Sequence, residues 1–272
     1  MQNNALSAKE NQDSVHGLNA SLPIPDLLTS DELATVIADM YTITGSRIGS
    51  VLVEANIVLT ITGGRAQTEF FIDNPTSEDE TAIERLKTAL EHKGFRLEYH
   101  REGSPRPEKP PYLMVNLESV RGYERVSRST SIPGIIPYDA SSGFEGIDNW
   151  RKIVTERMAE EQSKGNIPYP KEELYDILTG IVKGYPDQAI YDATEWWGLN
   201  DRQTPITDSA IKYVSKYGGA TPDFMFHPDH ADDPSIVQTV ELWGNILEKF
   251  YNQPWHLEIS KDADFLSARA RI

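Results

Sequence analysis

The densest set of chemically capable groups in this chain is the run Phe226-His227-Pro228-Asp229-His230-Ala231-Asp232-Asp233. Imidazole nitrogens and carboxylate oxygens are ligands for zinc, manganese or iron, and His227, Asp229, His230 and Asp232 would converge if the loop curled around an ion. That pattern points to metal-dependent hydrolysis with a divalent metal such as zinc or manganese as cofactor. The spacing is incomplete, however, because position 225 is Met and position 226 is Phe, so the His-x-His that precedes such sites in metallo-hydrolases is missing. A structural role accounts for the same residues: Pro228 and Pro234 shape a surface loop, Asp233 caps the following helix, and Asp229 and Asp232 are solvated. The plainer expectation is therefore a protein without a cofactor.

Other clusters are less complete. Trp196 and Trp197 occupy adjacent helical positions about 100° apart, so at most one ring can face a core squarely and the other is available to an interface or a pocket wall. The break Gly180-Ile181-Val182-Lys183-Gly184-Tyr185-Pro186-Asp187 has the form of a helix-turn-helix corner. Asp187, Asp192 and Glu195 would then meet phosphates where a DNA reader needs cations, so the corner reads as plain architecture. Arg121, Arg125 and Arg128, with Ser127, Ser129, Thr130 and Ser131 around them, are a local basic cluster able to receive a phosphate or a carboxylate, or to pair internally with abundant acids. Gly63-Gly64 does not lie between a strand and a helix as a phosphate loop must, and no Gly-x-Ser-x-Gly nucleophile elbow occurs.

Across its 272 residues the chain carries 42 acidic against 26 basic side chains, a formal charge of −16. Such a balance opposes direct binding of nucleic acid or of an anionic membrane, both of which require surplus Lys and Arg. The absence of cysteine removes disulfides, thiolate nucleophiles and iron–sulfur clusters. With no secretory pattern at residues 1–9 and no apolar run approaching the ~20 residues that span a bilayer, the expectation is a cytoplasmic location. Residues 141–272 hold 22 acidic and 13 basic side chains, and Glu172, Glu173 and Asp176 open a helix there. The function expected from these features is that of an acidic accessory or regulatory protein, which meets another protein of basic surface through Glu172, Glu173, Asp176, Trp196 and Trp197.

The elements that must position these groups follow from periodicity. Residues 1–21 are polar and unpatterned and read as a flexible tail. Thr29 and Glu32 have capping-box spacing ahead of a helical stripe formed by Leu33, Val36, Ile37, Met40 and Tyr41. Ile48–Val53, Ile57–Thr62 and Gln67–Ile72 are β-branched and aromatic runs that predict strands, with turns at Ala55-Asn56 and Gly63-Gly64. A helix from Ser77, capped with Glu80, then precedes strands at Phe95–His100 and Tyr112–Glu118. The fold expected is α+β: a small antiparallel sheet with two helices on one face over 22–120, an irregular connection over 121–144, and a mainly helical domain over 145–272. In that last part, stripes beginning near Ile147, Leu174, Pro186, Pro205 and Pro234 predict five helices, and Trp255–Ile259 a late strand.

Overall fold

The computed structural model describes residues 51–91, 93–102, 111–197, 224 and 226–251, together with Val36. The expected tail, the helix of Leu33 to Tyr41 apart from Val36, the helix near 205–217, the strand at 255–259 and most of the proline-rich loop after Arg101 lie outside the described residues. Val36 itself is helical and almost fully buried.

The first described element corrects the sequence reading. Residues expected to form two strands and a turn instead make one helix, α1 (Val51–Ile61). Ala55, Ile57, Val58, Leu59 and Ile61 are all buried, so apolar side chains leave this helix on nearly every side and packing overrides the β-propensity of its Val and Ile residues. Its polar groups are satisfied internally: the Thr60 hydroxyl donates to the Asn56 carbonyl at 2.9 Å and the Thr62 hydroxyl to that of Val58 at 2.7 Å. Gly63, at φ +75°, ends the helix in the left-handed conformation that favours glycine; Gly63-Gly64 is a helix stop rather than a hairpin turn.

The next elements are β1 (Gln67–Asp73), α2 (Ser77–Leu90), β2 (Phe95–Glu102) and β3 (Tyr112–Ser119). The capping box of α2 sits one residue earlier than the sequence spacing indicated: the Thr76 hydroxyl accepts from the Asp79 backbone at 3.3 Å, and the Thr76 backbone donates to the Asp79 carboxylate at 2.7 Å. The three strands form an antiparallel sheet in the order β1-β3-β2, with Phe70 opposite Val115 and Val115 opposite Tyr99. Phe70, Ile72, Phe95, Leu97, Leu113, Val115 and Leu117 point to one face and pack with α1 and α2. The α+β class, the antiparallel sheet and the helix from Ser77 are as expected; α1, built from residues read as strands, packs on the same face.

Helical structure follows: α3 (Val120–Ser129), α4 (Gly143–Ser163), α5 (Leu174–Val182), α6 (Asp187–Trp197) and α7 (Pro234–Tyr251). Helix α3 replaces part of the irregular connection expected over 121–144. Val120, Tyr123 and Val126 are buried, as are Ile132 and Tyr138 beyond it, because a short amphipathic turn can dock with few apolar residues when they all fall on one side. A second core unites α3, α4 and α5 with Ile190 of α6. Within it Tyr123, Tyr138 and Trp150 stand edge to face in every pair, with centroids 5.8–6.0 Å apart. Helix α7 returns to the first core with Ile236, Val240, Trp243, Ile246 and Leu247. Among the described residues no helix is long and apolar enough to cross a membrane.

The two cores meet around Glu118, whose side chain is 2% exposed on the face of the sheet away from α1. Its carboxylate accepts from Arg96 Nε at 2.6 Å, from the Tyr123 hydroxyl at 2.8 Å and from Arg151 Nη2 at 3.0 Å. Arg151 also bonds Gln67 Oε1 at 2.9 Å, and Gln67 donates to Asn116 at 2.9 Å. One carboxylate thus ties β1, β2 and β3 to α3 and α4. Close by, the Ser119 backbone donates to the Ala66 carbonyl at 2.8 Å and the Ala66 backbone to that of Val182 at 2.9 Å. Gly122 is required at this junction, since a Cβ there would fall 2.1 Å from the Arg65 carbonyl oxygen.

Removing the Glu118 charge leaves two guanidinium groups facing each other without their anion. Glu118→Gln is expected to lower unfolding free energy by ~3 kcal/mol, the low end for a broken buried pair because both arginines keep some water contact; urea titration measures it. Burial, reinforced by the Glu118 charge and opposed by Arg151, pushes the Tyr123 phenol well above its usual range. A raised folded pKa gives stability that is complete below the unfolded value of about 10 and is lost as pH climbs past it. Unfolding free energy is therefore expected to fall above about pH 10, and Tyr123→Phe to make that decline shallower.

Candidate functional site

Helix α6 begins at a corner. Gly184, at φ +73°, ends the α5 turn, Tyr185 donates its backbone N–H to the Gly180 carbonyl at 3.0 Å, and Pro186 precedes the first helical residue. The expected αα-corner is present, but the acidic face assigned to it divides. Asp187 is held by Thr130 and Ser131, accepting from both hydroxyls and from the Ser131 backbone at 2.6 Å. Asp192, read from the sequence as one of the carboxylates that would meet DNA phosphates, is buried with 3% of its side chain exposed.

Asp192 organises the loop singled out by its histidines. Its Oδ2 accepts the His227 backbone N–H at 2.7 Å, its Oδ1 accepts Gln188 Nε2 at 2.8 Å, and His230 Nδ1 lies 2.8 and 3.0 Å from the two oxygens. Because a carboxylate only accepts, His230 carries a proton on Nδ1 and uses that nitrogen, not Nε2, toward Asp192. Gln188 Nε2, 3.1 Å from the same Nδ1, is then a neighbour and spends its donor on Asp192. His227 differs, since its Nδ1 accepts the Asp229 backbone N–H at 3.2 Å. The two imidazoles are both about half-exposed, with centroids 5.7 Å apart. Asp233 performs the capping role expected of it, its carboxylate accepting from the Ser235 backbone at 2.8 Å as α7 begins.

The metal-ligand set is not assembled. Asp229 is 85% exposed beside His227, Asp232 is exposed, and among the described residues no three His, Asp or Glu side chains come together in a way that could hold an ion. Asp192, the residue that organises the loop, is remote in sequence. Its signal was its place four residues after Gln188 on a helix, which gives both side chains one face.

The surface residues named from the sequence are distributed as follows. Glu172 and Glu173 form part of a 3-10 turn over Lys171–Glu173, and Asp176 lies in the first turn of α5. Glu172 and Asp176 are exposed and Glu173 is half-buried. Between them Tyr175 is 76% exposed, while Leu174, Ile177, Leu178 and Ile181 line the buried side of the helix. None of these three carboxylates makes an ion pair among the described residues. Trp196 and Trp197 end α6, and their side chains lie outside the described residues. In the arginine cluster, Arg128 pairs with Glu124 at 2.9 Å, whereas Arg125 Nη1 donates to the Gly63 carbonyl at 3.2 Å.

The hydrogen bonds around Asp192 generate a direct test. Asp192→Asn keeps one acceptor but supplies donors where His230 and Gln188 already donate, so the variant is expected to lose ~2 kcal/mol of stability and His230 its single Nδ1–H tautomer. Imidazole 15N spectra and thermal melts measure the two effects. Comparison with protein-family models, curated proteins and solved structures found no match, and the reading of these residues rests on their geometry.

Proposed function

We propose that this chain is an acidic accessory or regulatory protein that binds another protein of basic surface through the outer side of α5. The observation that carries this reading is Tyr175: 76% exposed, it stands between the exposed carboxylates of Glu172 and Asp176 on a helix whose opposite side is buried. An aromatic ring presented with little rotamer freedom is an economical anchor for a partner, and surrounding charge steers the encounter. Trp196 and Trp197, at the end of α6, are proposed as further contacts for the same partner. The sign of the whole chain, −16, acts in the same direction at longer range.

The loop around Asp192 favours a second reading, a hydrolytic enzyme with His230 as its acid–base group, because a buried carboxylate orients that imidazole through Nδ1. A metal-dependent form, with zinc or manganese on His227, Asp229, His230 and Asp232, would require the loop to close further, because these side chains are not drawn together. About one equivalent of metal in the purified protein, with a melting temperature lowered by chelator, would favour this reading over the first.

For the binding reading, a partner isolated at low salt is expected to associate several-fold more slowly near 0.5 M salt, because charges are screened over roughly 8 Å already at physiological ionic strength. Reversing Glu172, Glu173 and Asp176 to Lys should flatten that dependence, and Tyr175→Ala should raise the dissociation rate. Stopped-flow association with each folded variant measures both. A partner indifferent to salt and to all four substitutions would sink the proposal.

A further inference from the structure

The corner where Gly63 and Gly64 end α1 lies beside arginines that make no ion pair among the described residues. Arg121 and Arg125 lie one turn apart on α3, so their side chains share a side of the helix. Arg125 is half-buried, and its Nη1 donates to the Gly63 carbonyl at 3.2 Å. Neither Arg121 nor Arg125 makes an ion pair among the described residues, and the acid between them in sequence, Glu124, is taken by Arg128. The corner is closed by α5, whose Gly184 sits so near that a Cβ would be 2.9 Å from the Gly64 carbonyl oxygen; Lys183 immediately precedes it. In a chain with 42 acidic side chains, a half-buried guanidinium that gives Nη1 to a carbonyl and makes no ion pair among the described residues is unexpected.

We propose that Arg125 and Arg121 form a binding site for a phosphate group, in the corner made by α3, the Gly63-Gly64 turn and the end of α5. A carbonyl oxygen holds Nη1 and so orients the guanidinium. The same guanidinium carries further N–H donors on Nε and Nη2, which suit phosphate oxygens. Two guanidinium groups one helical turn apart match a tetrahedral dianion better than a single carboxylate, which one planar fork satisfies. Burial without a compensating anion lowers the Arg125 guanidinium to about 10. A bound phosphate would restore that compensation, and in partly desolvated surroundings its hydrogen bonds gain strength. The site is separate from the outer side of α5 and does not depend on partner binding there.

Inorganic phosphate, at ionic strength held constant with sodium chloride, is the probe. At ten times its dissociation constant it is expected to raise the melting temperature of the full chain by about 3–5 °C. Amide shifts should cluster at 63–65 and 121–129, while acetate at the same ionic strength should do less. Arg121→Ala removes an exposed side chain and should leave the fold intact while weakening phosphate several-fold; Arg125→Lys keeps the charge, loses the fork and should weaken it further. No phosphate effect beyond that of chloride, or an effect undiminished in both variants, overturns the proposal.

Discussion

A carboxylate withdrawn from water has to be met by donors, and Glu118 meets that requirement with two guanidinium groups and a phenol drawn from β2, α3 and α4. The cost of leaving such a charge unmatched is several kcal/mol, which fixes the arrangement more tightly than apolar contact could. It also fixes register. Along β3, Leu113, Val115 and Leu117 face the first core while Glu118 faces the second. A slip of one residue would turn Glu118 into the apolar side, so the charge excludes pairings that hydrophobicity alone would tolerate.

The rest of the helical half takes its place from this junction. Ser119, Ala66 and Val182 pass backbone hydrogen bonds from the end of β3 through the start of β1 to the end of α5. Gly122 and Gly184 let backbones approach where a side chain would intrude. Once α5 is set, the corner at Gly184 sets α6, which contributes Ala189 to one core and Ile190 to the other. Asp192 is thereby delivered beneath the histidine loop that precedes α7. The orientation of His230 is thus a consequence of packing begun some distance away at the sheet.

Sequence periodicity made β1, α2, β2, β3, α4, α5, α6 and α7 legible because each buries a stripe or a face of regular spacing. It failed for α1, where Val, Leu and Ile fall on all sides; without a polar face, helix and strand share one pattern, and only the surroundings decide. It failed at α3 for the opposite reason, since Gly122 and many polar residues hid three buried positions. At the candidate site the histidines and the Asp233 cap were readable from local chemistry. Asp192 was not, because its importance comes from a meeting between segments more than thirty residues apart. Tyr175 passed unnoticed within a helix whose periodicity explained its neighbours but not itself.

Helix α1 carries a further consequence, for the order in which the molecule assembles. The run Ile57-Val58-Leu59, buried in α1, would pair readily as a strand with other chains if left uncovered, and a helix packed on α1, α7, comes from residues 234–251. Closing that distance requires most of the chain to be present, so α1 waits through synthesis without one of its walls. Until α7 is in place, this apolar run is open to pairing with other chains.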